Sequence, residues 1–296
     1  MFTGTGVALV TPFLPDGELD LPALRTLVQR QIDGGADYLA VLGTTGEPAT
    51  LTEQEQRQVI ETVSDAAQGR IPLVLGAGGN DTAAVCMRFR RYTEQYRPAG
   101  LLSVSPYYNK PTQEGIYRHY RALADCTDLP VIIYNVPGRT ASNISAETTL
   151  RIARDCPNIA AVKEASGNVE QIMQILRERP QGFGVISGDD LLTLPLMAAG
   201  CEGVISVIAN AFPEQFSAMV RAARAGDFAA ARRLHYALMP ATQLAFAEGN
   251  PAGVKMLLHL QGLMSPQVRL PLVSASDSLK LRMQQALQVL SSAEHV

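Results

Sequence analysis

The sequence predicts an α/β fold of the (β/α)8 TIM barrel class with a helical C-terminal extension. Three observations predict it. Eight short, apolar, β-rich runs recur about every thirty residues, segments with helical spacing alternate with them, and the 296-residue chain is the length of such a barrel with insertions.

The eight runs are Val7–Val10, Tyr38–Leu42, Ile71–Leu75, Gly100–Val104, Pro130–Tyr134, Ile159–Val162, Phe183–Ile186 and Gly203–Ile208. Most are continuous Val/Ile/Leu stretches rather than alternating ones, as parallel strands buried on both faces require. Between them, Leu24, Leu27, Val28 and Ile32 form one stripe of an amphipathic helix. Thr52 and Glu55 have capping-box spacing ahead of a helix over Gln56–Ala67. Asn168 is placed to cap Val169–Arg177, and Pro180 closes that segment. An open doubly wound sheet is the alternative reading of the same alternation.

After Pro213 the strand-like runs stop. Phe216, Met219, Val220 and Ala223 keep helical spacing, and further helices are expected over Phe228–Leu238, Gly253–Leu260 and Asp277–Leu290. Residues 1–225 are therefore expected to form the barrel and carry the active site. Residues 226–296 form the extension, whose Ala and Leu content suits packing on the barrel or on a neighbouring subunit.

Composition limits the function classes. Hydrophobic residues make up 47% and charged residues 18%, which supports a large core. A net charge of −3 supplies no field to attract nucleic acid or an anionic membrane. No apolar run approaches the ~18 residues of a spanning helix. Met1 to Leu9 lacks the charged n-region of a signal peptide, so a cytoplasmic location is expected. Cys86, Cys126, Cys156 and Cys201 make no C-x-x-C pair and read as reduced thiols. His119, His235, His259 and His295 are scattered, so no metal-ligand cluster is expected.

In such a barrel the site lies at the C-terminal ends of the strands. Lysine usage is the sharpest clue there. Of four lysines, Lys110, Lys163, Lys255 and Lys280, only Lys163 ends a buried strand. Burial disfavours its ammonium form and yields the neutral amine that attacks a ketone. The bland alternative is a lysine reaching solvent or pairing with Glu164. Tyr134 ends the adjacent strand, either as a proton donor and acceptor or as an ordinary barrel aromatic. Gly43-Thr44-Thr45-Gly46 offers N–H groups and hydroxyls in a turn suited to a carboxylate, a pattern that is also commonly structural. Arg139, after Pro137-Gly138, either holds a second carboxylate or is a surface arginine. Tyr107 and Tyr108 pack, line the mouth or cross into a neighbour. Asp189 and Asp190 read first as helix caps.

Along its whole length the chain resembles the dihydrodipicolinate synthase family, within the N-acetylneuraminate lyase superfamily. The resemblance rests on Thr3-Gly4, Thr11-Pro12-Phe13, Gly43-Thr44-Thr45-Gly46-Glu47, Pro106-Tyr107-Tyr108-Asn109, Tyr134 to Thr140, Val162-Lys163-Glu164-Ala165, Ser187-Gly188-Asp189-Asp190 and Gly203 to Val207, in order and at barrel spacing. It implies that Lys163 forms an imine with pyruvate, and that Tyr134, Thr44 and Tyr108 relay protons, Tyr108 from the adjacent subunit. It also implies that Thr45 holds the pyruvate carboxylate, that the Ile205 backbone lies near the imine, that Gly188 is a substrate-binding residue, and that Arg139 binds the carboxylate of aspartate semialdehyde. A homotetramer without metal or organic cofactor follows from the same resemblance.

One departure from the family pattern stands out. Lysine-inhibited members carry histidines where this chain has Glu53 and Gln56, a glutamate at Ala84 and a serine at Pro48, while Ala49, Asn80 and Tyr107 are kept. Weak or absent feedback by lysine is therefore expected. The nearest rival reading is a sialic acid or keto-deoxy sugar acid aldolase, against which Arg139 argues. A non-catalytic barrel would be expected to lose Lys163 or Tyr134, and a phosphate-binding barrel is opposed by the charge of Asp189 and Asp190.

Overall fold

The computed structural model describes residues 2–293. Eight parallel strands follow one another around a closed barrel: β1 (Gly4–Ala8), β2 (Tyr38–Val41), β3 (Leu73–Gly76), β4 (Gly100–Val104), β5 (Val131–Asn135), β6 (Ile159–Glu164), β7 (Gly184–Ser187) and β8 (Gly203–Ser206). Pairing of β8 with β1 closes the sheet and disposes of the open doubly wound alternative. In chain order the helices are α1 (Leu21–Asp33), α2 (Glu53–Ala67), α3 (Thr82–Gln95), α4 (Gln113–Ala124), α5 (Pro137–Thr140), α6 (Ala146–Asp155), α7 (Val169–Glu178), α8 (Thr193–Ala199) and α9 (Pro213–Arg224). The extension adds α10 (Phe228–Ala247), α11 (Ala252–Leu260) and α12 (Asp277–Ala293).

All eight apolar runs are strands; β4 falls on its expected residues and the other seven have shifted ends. The largest shift is at β1, which starts at Gly4 rather than Val7. Gly4-Thr5-Gly6 carries no apolar signal because its side chains have been given up to neighbours. A Cβ on Gly6 would stand 2.3 Å from the Tyr38 ring, so the close approach demands glycine. The capping box of α2 forms as its spacing requires: the Thr52 hydroxyl accepts from Glu55 N at 3.2 Å, and Glu55 Oε2 accepts from Thr52 N at 2.8 Å. Asn168 Oδ1 accepts from Gln171 N at 3.0 Å and starts α7. Helix α10 runs past Pro240 to Ala247 instead of stopping at Leu238. Proline removes a single helical N–H, and packing on α9, α11 and α12 carries the helix through.

The extension lies on the barrel, α10 against α8 and α9 and α11 against α10. Among the described residues no helix is long and apolar enough to cross a membrane. Met1 and His295 lie outside the described residues.

Candidate active site

Strand register brings the first two residues together. Tyr134 on β5 and Lys163 on β6 are Cα partners, so in parallel strands both side chains leave the same face of the sheet. Glu164, one residue on, must leave the opposite face. It accepts from Asn135 Nδ2 at 3.0 Å, from Ser166 N at 3.1 Å and from Gln171 Nε2 at 2.8 Å. The strand pleat thereby rules out the Lys163–Glu164 ion pair. Lys163 is 5% exposed, and its Nζ sits 4.2 Å from the centre of the Tyr134 ring.

Burial pulls the Lys163 amine from 10.5 down to about 8; Arg139 adds to the drop, and Asp190 opposes it. Gly188 makes room for this lysine. A Cβ there would come within 3.0 Å of Lys163 Cε and 2.8 Å of Ala165 Cβ, so any side chain would push the amine out of place. Asp190 is fully buried, and its Oδ2 accepts from Val207 N and Ile208 N at 3.0 and 2.9 Å, which fixes the end of β8. Asp189 does not cap α8 either: its Oδ1 accepts from Leu191 N and Leu192 N in the turn ahead of that helix, whose first residue is Thr193 and whose N-cap position, Leu192, makes no side-chain cap bond.

The turn after β2 faces this pair. The Thr44 hydroxyl hydrogen-bonds the phenol of Tyr134, whose pKa burial pushes up to about 12. The phenol is therefore protonated across the physiological range and able to donate. Thr45 is buried, and its Oγ1 accepts from Asn250 Nδ2 at 2.9 Å. Leu42 (φ 58°) and Glu47 (φ 53°) flank the turn in the left-handed region. For non-glycine residues each such conformation costs about 1–3 kcal/mol, and it persists only where surroundings enforce it.

Arg139, in α5, stands at the mouth, and its guanidinium donates to the Asn250 carbonyl at 3.3 Å. Lys163, Tyr134, Thr44, Thr45, Arg139 and Gly188 all line one cavity of about 470 Å³. Two expected residues stand apart from that wall. Ile205 is buried within β8 opposite Gly6, and Tyr108 is 87% exposed on the loop after β4, with φ 72°. Neither side chain lines the cavity of its own chain.

Gln243, Phe246 and Asn250 also line it, and all three come from the extension. The sequence reading confined the site to residues 1–225 and missed them. The one available signal was Gly249-Asn250-Pro251, a turn cluster interrupting an otherwise helical stretch.

A second cavity of about 570 Å³ adjoins the first and gathers Pro48, Ala49, Gln56, Asn80, Ala84 and Tyr107. Glu53 is not in its wall; it pairs with Arg91 at 3.0 Å on the surface. The two carboxylates that do line the cavity are committed elsewhere, Glu47 to Lys255 and Asp81 to the N-terminus of α3. A bound lysine's ammonium groups therefore find no free carboxylate among the described lining residues. Millimolar L-lysine is expected to leave the initial rate unchanged in a dose-response assay. Inhibition at micromolar lysine contradicts this.

The amine's lowered pKa also sets a pH profile. Only neutral Lys163 attacks a carbonyl, and its fraction rises about tenfold per pH unit below the pKa. The kcat/KM for a ketone substrate is expected to climb as pH rises toward about 8 and to level above it. A profile flat from pH 6 to 9 would show that this deprotonation does not limit the reaction.

Fold and site together describe a Schiff-base lyase of the class I aldolase type: a desolvated lysine at a barrel strand end, a phenol against it and a hydroxyl-bearing turn opposite. The chain belongs to the dihydrodipicolinate synthetase family, whose model matches residues 1–290. It is 51% identical over 289 residues to the 4-hydroxy-tetrahydrodipicolinate synthase of Parabacteroides distasonis, covering 97% of each chain. The crystal structure of dihydrodipicolinate synthase from Aquifex aeolicus superposes with a TM-score of 0.94 at 42% identity, covering 98% of both chains. That of the chloride-inhibited dihydrodipicolinate synthase from Acinetobacter baumannii, complexed with pyruvate, gives 0.95 at 37% identity and covers 98% of this chain and 99% of that one.

Proposed function

We propose that this protein condenses pyruvate with L-aspartate 4-semialdehyde to 4-hydroxy-tetrahydrodipicolinate, a step of diaminopimelate and lysine biosynthesis. The observation that carries the reading is the Lys163 amine, buried and lowered to about 8 within reach of Tyr134 and the Thr44-Thr45 turn. Relatives named for this synthase at about half identity support it over a sugar acid aldolase. So does Arg139, which offers a carboxylate a partner at the mouth.

The steps follow from these groups. Neutral Lys163 Nζ adds to the pyruvate C2 carbonyl, and loss of water gives an iminium. Thr45 and the turn N–H groups hold the pyruvate carboxylate, with Asn250 orienting the Thr45 hydroxyl. The iminium draws electrons from C3, a methyl proton departs and an enamine forms. Its C3 attacks the aldehyde carbon of the second substrate, and the aldehyde oxygen takes up a proton to become a hydroxyl. The substrate's own amine then adds to C2, and Lys163 leaves as the ring closes. Tyr134 and Thr44 pass the protons, while Gly188 and the Ile205 backbone border the imine.

The third member of the relay, Tyr108, is supplied by a second copy in this reading. Its 87% exposure, together with exposed Leu270 and Val273, leaves an aromatic and apolar surface for that copy to cover. The full assembly is a homotetramer. Four unpaired cysteines accord with a cytoplasmic location.

The test is turnover of pyruvate plus aspartate semialdehyde, coupled to reduction of the product. Turnover with this pair and none with sugar-derived aldehydes supports the reading. Pyruvate trapped on Lys163 by borohydride without turnover of the pair would transfer the protein to the sugar acid aldolases.

A further inference from the structure

Lys255 lies on α11, outside both cavities, yet it is 0% exposed. Its Nζ sits 2.5 Å from Glu47 Oε1, with the two side chains 0% and 2% exposed. It also donates to the Gln267 carbonyl at 3.0 Å and lies 4.1 Å from the centre of the Phe13 ring. Arg269 closes the other side. Its backbone N–H reaches Glu47 Oε2 at 3.1 Å, its guanidinium donates to the Thr50 carbonyl at 2.8 Å, and that group stacks 4.5 Å from the same ring.

A buried ion pair is a poor device for stability, since apolar residues of the same volume usually do as well. What it supplies is one fixed geometry, and here that geometry falls on a strained residue. Glu47 is left-handed at φ 53° and ends the turn that carries Thr44 and Thr45. The same extension grips the turn a second time through the Asn250–Thr45 hydrogen bond.

We propose that the buried Lys255–Glu47 pair is a strut that sets the Thr44-Thr45 turn, so that Lys255, on the C-terminal extension, is a positioning residue for the pyruvate carboxylate. The proposal rests on the assignment of that turn to pyruvate. The strut acts before the aldehyde arrives, so its loss is felt in pyruvate binding.

The test compares Lys255→Met, Glu47→Gln and the double variant, scoring the pyruvate dependence of borohydride inactivation, kcat, both KM values and thermal melting. Each single variant is expected to raise the pyruvate KM and the half-saturating pyruvate for trapping about tenfold, because misplacement of a positioning group is felt at the chemistry. The KM of the aldehyde should stay near that of the parent. In the double variant no charge is left uncompensated, so it folds better than either single variant, and its pyruvate KM remains raised. A folded double variant with the parent's pyruvate KM, or single variants altered only in melting temperature, overturns the strut. Trapping needs pyruvate alone, so the strut is judged even if the aldehyde assignment fails, and failure of the strut leaves parental turnover untouched.

Discussion

Lys163→Ala is expected to reduce turnover to background and to abolish borohydride-trappable pyruvate, while pyruvate still binds weakly through the turn. The proposed reaction has no other route to the electron sink, because in it the iminium nitrogen is the Lys163 Nζ. Among the other lysines, Lys110 and Lys280 are outside the cavity wall, and Lys255 is committed to Glu47. Retained trapping in this variant would refute the assignment of the nucleophile. The same site predicts a stability effect of opposite sign. The amine is lowered from 10.5 to about 8, so between those values the unfolded chain holds a proton that the folded chain has lost. Stability therefore rises with pH across that window, and below it the buried ammonium burdens the fold by about 3 kcal/mol at about 1.4 kcal/mol per unit. Lys255, also lowered to about 8 by burial, adds to the same slope. Lys163→Met should accordingly melt higher than the parent at neutral pH, an inactive protein more stable than the active one. Equal or lower melting there would mean that the loss of the Asp190 interaction outweighs the relief.

Tyr134→Phe is expected to lower kcat by ~10²–10⁴-fold, the usual range for a lost acid–base group, with a much smaller change in pyruvate KM. The phenol is 7% exposed and pushed up to about 12 by burial, so it is a donor at every working pH. Its ring remains in phenylalanine, which preserves the packing against Lys163 Nζ at 4.2 Å and isolates the hydroxyl. Thr44 would then lose its partner, and Thr44→Val should resemble Tyr134→Phe in direction. A Tyr134→Phe variant with parental kcat would place the proton transfers elsewhere.

The barrel was legible because parallel strands buried on both faces have to be continuous apolar runs, and eight such runs alternate with amphipathic stripes. Where side chains were surrendered, the signal failed: Gly4-Thr5-Gly6 is a strand written without apolar residues, since the Tyr38 ring fills the space of a Cβ on Gly6. Lys163 was legible because a cation at the end of an apolar run is costly unless it is used. The strand pleat that follows places Glu164 outside and Lys163 inside, a consequence of period two that needs only the strand assignment.

By itself, then, the sequence determined the strand count, the helix caps at Thr52 and Asn168, and the lysine, phenol and turn of the candidate site. These are encoded locally, in periodicity and in residue types that short-range physics constrains. The tertiary structure alone decided what joins residues far apart in the chain. It brought Asn250 to Thr45 across 205 positions, set Lys255 against Glu47 beneath a strained turn, and reserved the space beside Gly188 for the lysine side chain. No window of sequence carries those contacts, because each depends on how the extension packs on the barrel.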